Sequence, residues 1–223
     1  MAPEDQHRAI VIAVDGPAAS GKGTLARRLA THLGYAYLDT GLIYRAVGLA
    51  LIRQNMAQAD PGAALRAARA LSLEDLDDPA LRGDSVAGMA SQVAAVPGVR
   101  AALIDYQRQF TVQPPGKAKG VVLDGRDIGT IICPNADAKI FVDASVETRA
   151  NRRVKELRER GVTAIYARVL QDMKERDARD RSRSVAPMVP ADDAHTLDTT
   201  DLDADAAFHE ALGFITSRNV SDA

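Results

Sequence analysis

Nine consecutive residues, Gly16, Pro17, Ala18, Ala19, Ser20, Gly21, Lys22, Gly23 and Thr24, have the composition and spacing of a phosphate-holding loop. Glycines let successive backbone N–H groups converge on phosphate oxygens, and a helix opening at the end of the loop adds the positive end of its dipole. Lys22 then supplies a mobile positive charge for β- and γ-phosphates. The context is the one this chemistry requires. The apolar run Ala9 to Val14 precedes the loop, and leucines four apart, Leu25, Leu29 and Leu33, follow it.

One position departs from the general pattern. Gly23 stands where Ser or Thr would ligate Mg²⁺, and Thr24 is displaced by one residue. Mg²⁺ is therefore expected to be held mainly by phosphates and waters, which its reluctance to dehydrate allows. The Gly-Lys-Gly-Thr ending resembles nucleoside monophosphate kinases more than GTPases or motor ATPases.

Arginine is the second signal, with ten between Arg149 and Arg183. Interleaved acids make a solvated helix face with i,i+4 pairs sufficient for many of them. One row resists that reading. Ile165, Val169 and Met173 mark an inward helix face, and the same row continues through Arg176, Asp180 and Arg183. An apolar stripe that becomes Arg-Asp-Arg suits a face that leaves the core and lines a polar cleft. Arginine suits delocalised phosphoryl charge because it stays protonated and donates bidentately.

Two smaller clusters fall just past apolar strands, where α/β folds place ligands. The first runs from Asp39 and Thr40 to Tyr44 and Arg45; the second is Asp124-Gly125-Arg126-Asp127, with Asp124 where a metal-side aspartate would sit. Tyr44 fits a base-stacking role and a cleft-wall role equally. His7, His32, His195 and His209 form no ligand pattern, and Cys133 reads as a small buried hydrophobe.

These residues need a scaffold of strands and helices. Ala9 to Val14, Tyr35 to Leu38, Val121 to Leu123, Lys139 to Val142 and Thr196 to Asp198 read as short strands. Unbroken β-branched runs of this kind are buried on both faces of a parallel sheet. Ser145 caps a helix to Arg160 that ends at Gly161, a further helix covers Thr163 to Arg181, and Ala204 to Ser217 closes the chain. Thr40 to Phe110 reads as helical with breaks, including an alanine-rich stretch at Ala63 to Leu73, and Thr111 to Gly120 as a loop.

The 223 residues are 46 % hydrophobic and 26 % charged, which excludes a disordered chain. A chain of this length buries about 70 % of its unfolded surface without staples. A single cysteine rules out a disulfide scaffold and an all-cysteine metal site. The net charge of −2 says nothing for nucleic acid or an anionic membrane. Met1 to Arg8 has no apolar segment, so a cytoplasmic protein is expected.

Taken in order, IAVDGPAASGKGT, LDTGLIYR, ASQVAAVPGVR, LDGRDIGT, KIFVDAS and KERDARDRSRSVAPMVPADDA resemble the bacterial cytidylate kinases over about residues 9 to 215. The resemblance implies an α/β fold: a three-layer P-loop core with a parallel sheet (1–40 and 111–223), a mainly helical nucleotide-monophosphate-binding insertion (41–110), and a small arginine-rich lid at about 152–185. It implies transfer of the γ-phosphate of ATP to CMP or dCMP with Mg²⁺. Carried over by motif, Arg45, Arg100 and Arg126 would hold the acceptor phosphate, Ser91 and Asp127 the cytosine, Asp180 and Arg176 the ribose, with Thr40 in the same pocket. Lys22, Arg126, Arg179 and Arg183 would be catalytic, Arg153 would join the loop on the ATP side, and Asp124 would serve the metal. A monomer with neither nucleic-acid nor membrane partners is the expectation. The family's insertion usually contains short strands, whereas Asp60 to Leu81 here has no alternating run.

Rival readings are a P-loop kinase for another acceptor, a GTPase-like switch and a nucleic-acid module. The switch would need an Asn-Lys-x-Asp motif, which the chain lacks; the module would need aromatics, which are 4 % of the residues.

Overall fold

The computed structural model describes residues 8–218 other than 57, 58 and 73; His7, most of the Met1 to Arg8 stretch and Leu73 lie outside them. Five parallel strands, β1 (Ile10–Asp15), β2 (Ala36–Asp39), β3 (Gly120–Gly125), β4 (Ala138–Asp143) and β5 (His195–Asp198), form one sheet in the order β2-β3-β1-β4-β5. The apolar runs are explained by cover on both faces. Ile10, Ile12 and Val14 of β1 point to one side, against α1 (Lys22–Leu33) and α8 (Ala204–Ser217), where Leu25, Leu29, Phe208 and Ile215 are buried. Val11 and Ala13 point to the other side, which carries the helical stretch expected between the second and third strands.

That stretch contains α2 (Thr40–Arg53), α3 (Pro61–Arg69), α4 (Asp84–Val93) and α5 (Pro97–Val112), with 3-10 turns at Glu74–Asp77 and Pro79–Arg82. Its core is continuous with the sheet. Ile43, Val47 and Leu51 of α2, and Val99, Leu103 and Phe110 of α5, share one cluster with Val121 and Leu123. The pair α6 (Val146–Glu159) and α7 (Tyr166–Arg181) has instead a small cluster of its own, Val154, Leu157 and Ala164 with Tyr166 and Val169.

Several local expectations shift. Ser145 caps α6 as expected, its Oγ accepting from Thr148 N at 3.2 Å. The next helix starts at Tyr166 rather than Thr163, because Ile165 is extended at its N-cap. Ile165 is 65 % exposed, so the inward row begins at Val169 and Met173 instead. The expected loop at Thr111 to Gly120 is shorter, since α5 runs through Val112 and Pro115–Lys117 makes a 3-10 turn. Cys133 is half-buried, and burial pushes its thiol up to about 11, an inert group. Among the described residues no single helix is long and apolar enough to cross a membrane.

Candidate active site

The carboxyl ends of β1, β2, β3 and β4 lie side by side, with Asp124 of β3 in register with Val14 and Asp39. At the end of β1 the chain turns sharply through Gly16, whose φ is +146°. A Cβ there would stand 2.0 Å from the Val142 carbonyl oxygen, so no other residue fits. Ala19 (φ +59°) and Gly21 (φ +93°) complete the loop, and Gly21 caps α1. The loop is braced from behind. Thr199 Oγ1 donates to Ser20 O at 2.8 Å, Arg152 Nη1 to the same oxygen at 3.3 Å, and Arg149 Nη1 to Ala18 O at 3.3 Å. Ser20 Oγ is buried with no hydrogen-bond partner.

Lys22 opens α1 beside Arg126, Asp124, Asp39 and Arg176. Burial, with Arg126 adding to it, lowers its amine to about 8 against the opposing pull of Asp124. Asp124 is 3 % exposed and accepts from Tyr37 OH at 2.7 Å. Burial raises its carboxyl, Lys22 counters this, and the nearby Asp39 adds to the rise. A Cβ on Gly23 would lie 3.2 Å from Asp124 Oδ2, so this carboxylate occupies the space beside the loop's helix start. The donor set fits a magnesium ion: one buried carboxylate with a second nearby, and phosphate and water left to complete six oxygens. Thr40, 4 % exposed, donates to Asp124 O at 2.7 Å and so secures the strand end.

Asp180 gathers the arginines. One carboxylate oxygen accepts from Arg126 Nε at 3.2 Å and the other from Arg183. Arg176, one turn earlier on α7, has a buried Nε with no hydrogen-bond partner. Burial, with Arg126, Arg45 and Arg153 as further like charges, lowers its guanidinium to about 10. It therefore stays charged at neutral pH in a site already crowded with cations, which suits a polyanion. Arg45 Nη1 donates to Leu81 O at 2.8 Å, and Arg153 pairs with Glu156 at 2.8 Å.

Arg100 stands apart from that group. It makes a buried ion pair with Asp127, and its guanidinium carbon is 5.9 Å from the Tyr44 ring centroid. Burial raises the Asp127 carboxyl while Arg100, then Arg183, oppose it. Ser91 is half-buried on α4. That helix packs tightly on α2, where a Cβ on Gly48 would sit 3.0 Å from Ala90 N. Arg179 is exposed and is not drawn into the cluster.

The structure thus brings together Lys22, Asp124, Arg126, Arg176, Asp180 and Arg183, with Arg45 and Arg153 near Arg176 and the Arg100–Asp127 pair alongside. Sequence reasoning missed Asp15, Arg149, Arg152 and Thr199. Arg149 fits the solvated-face reading least: it is 2 % exposed and donates to Asp177 Oδ2 at 2.6 Å.

A phosphate loop on the central strand of a parallel sheet, facing converged arginines, defines a P-loop phosphotransferase. A family model described as Cytidylate kinase matches residues 12–217. The chain is 64 % identical over 208 residues to the cytidylate kinase of Paramagnetospirillum magneticum, covering 93 % of this chain and 98 % of that protein. It is 57 % identical over 212 residues to that of Methylocella silvestris, with 95 % and 96 % covered. The chain belongs to the cytidylate kinase family. In fold it also resembles a crystal structure of an uncharacterized protein from Eubacterium ventriosum, with TM-score 0.53 and 16 % identity over 93 % of this chain and 98 % of that one.

Proposed function

We propose that the protein transfers the γ-phosphoryl group of ATP to CMP or dCMP, giving ADP and CDP or dCDP. Family membership supports the reaction; the arginines assembled around Asp180 opposite Lys22 carry the assignment of residues. Residues 1–40 and 111–223 act as the core, 41–110 as the acceptor-binding part, and about 152–185 as a lid. The reading carries with it a monomer that acts in the cytoplasm, where both nucleotides are available.

Transfer between nucleotides needs no covalent protein group. The enzyme must align two anions, spread the charge of the moving phosphoryl oxygens and exclude water. The loop Gly16 to Thr24 and Lys22 hold the β- and γ-phosphates, with Arg153 on the same side. Arg45 and Arg126 take the acceptor phosphate. Asp180 already aims Arg126 and Arg183 at the cleft, so these cations need little reorganisation when charge develops. Asp180 and Arg176 serve the ribose, beside Thr40. Arg179, which is exposed, would join the transferred group as a lid arginine. Arg100 belongs with the base rather than the phosphate, because its partner is Asp127. Ser91 completes that side. Asp124 would hold Mg²⁺, which supplies charge neutralisation on the transferring phosphates.

Base choice gives the test. Asp127 can accept from the N4 amine of cytosine but meets the O4 lone pairs of uracil. A buried hydrogen-bond site of this kind rejects the wrong ligand by ~10⁴ or more. Wild type is expected to prefer CMP strongly over UMP in kcat/KM. Asp127→Ala narrows the gap by weakening CMP, and Asp127→Asn narrows it further because an amide donates to O4. An unchanged ratio with lowered stability would reduce Asp127 to a structural partner of Arg100.

A further inference from the structure

Asp15 ends β1 and directly precedes the phosphate loop, yet its side chain does nothing for that loop. The carboxylate is 5 % exposed and reaches across to the turn that follows β3. There Oδ1 accepts from Ile128 N at 2.8 Å and Oδ2 from Gly129 N at 2.8 Å. These two N–H groups come immediately after Arg126 and Asp127, the residues that face the acceptor. The turn Ile128–Ile132 is a rare π-helical one, with Ile131 N and Ile132 N both returning to Asp127 O at 2.9 and 3.1 Å. Such turns are rare and occur frequently at functional sites. Asp15 supports the near end. The far end is held by Lys139, whose Nζ donates to Pro134 O at 2.6 Å and to Asp193 at 2.7 Å. Gly129 lets both approach: a Cβ there would meet Lys139 Cδ at 3.1 Å and Asp15 Oδ2 at 3.4 Å.

We propose that Asp15 is a positioning residue for acceptor recognition, its two hydrogen bonds to Ile128 N and Gly129 N fixing the direction in which Asp127 and Arg126 face CMP. The inference rests on the acceptor role given above to Asp127. Because Asp15 sits on the donor-loop strand, the same carboxylate also fixes the distance between donor and acceptor sites. A displacement of about 1 Å at such a contact is enough to cost ~10²-fold.

Asp15→Asn keeps the size but leaves one oxygen acceptor where two N–H groups point. Dissociation constants for CMP and for ATP, measured separately on wild type, Asp15→Asn, Gly129→Ala and Asp127→Ala, provide the test. The expected result is at least tenfold weaker CMP binding in Asp15→Asn, a smaller loss in Gly129→Ala, and ATP binding within twofold of wild type in both. Retained ATP affinity also shows that each variant is folded. CMP affinity unchanged in Asp15→Asn overturns the proposal, as does parallel loss of CMP and ATP affinity in both variants. Asp127→Ala separates the two levels: if it too leaves CMP binding intact, the acceptor role of Asp127 has failed first.

Discussion

Lys22 carries a charge that burial and Arg126 both resist, and its amine is lowered to about 8 while Asp124 holds it up. A cation of this kind, only partly compensated by Asp124, is poised for the additional negative charge of a phosphate. Lys22→Ala is expected to lower kcat by ~10²–10³, because the side chain contributes preorganised charge at the loop. Retention of more than a tenth of wild-type turnover would remove the loop's lysine from the mechanism. The neighbouring Gly23 belongs to the same balance. A side chain there would press on Asp124, and so the carboxylate, rather than a loop hydroxyl, is the protein oxygen available at this point.

At the scale of elements, α6 and α7 are joined at their base by a buried ion pair. The side chains of Arg149 and Asp177 are 3 % and 8 % exposed, and Arg149 also braces the phosphate loop through Ala18 O. Arg149→Ala leaves Asp177 buried and unpaired, which costs about 3–5 kcal/mol of stability. Adding Asp177→Leu should recover a large part of that loss in urea unfolding. A double variant no more stable than the single one would show that Arg149 acts through its carbonyl acceptors, Ala18 O and Ala144 O, rather than through Asp177.

How much of this was readable follows from where each partner lies. The phosphate loop was legible because its glycines, its lysine and the flanking strand and helix are contiguous. The row Met173, Arg176, Asp180 was legible because helical period projects it onto one face. Ile165 misled for the same reason: periodicity counts residues and cannot see that the chain is extended there until Tyr166. Arg149 and Asp15 were opaque. Their partners lie 28 and 113 residues away, and for Asp15 those partners are backbone N–H groups that no residue type announces.

For the whole molecule, Asp15 also links stability to pH. Burial raises its carboxyl from 3.8 to about 7, partly offset by its two N–H donors. The native state therefore keeps a proton that the unfolded chain releases, and the sign follows: stability from this group is full below about pH 4 and is lost as pH rises through about 7. Wild type should lose on the order of 2 kcal/mol more than Asp15→Asn between pH 5 and pH 8, read as the shift in urea midpoints. Equal shifts in the two proteins would mean that Asp15 is ionised across this whole range.

The separate cluster between α6 and α7 has a consequence for how the chain can vary. Val154, Leu157 and Ala164 connect to the remainder through Arg149, which donates to Ala18 O at 3.3 Å, and, at the rim, through Arg160 Nη2, which donates to Arg82 O at 2.7 Å. Replacing an apolar residue within α5 disturbs a core shared with the sheet, so its effect spreads to β1 and β3. Exchanging a residue at the α6–α7 tip disturbs a handful of neighbours and stops there. Mutational drift and deliberate redesign therefore have a place to accumulate, outboard of the fold's common interior, where a lost contact is felt locally before it threatens the native state.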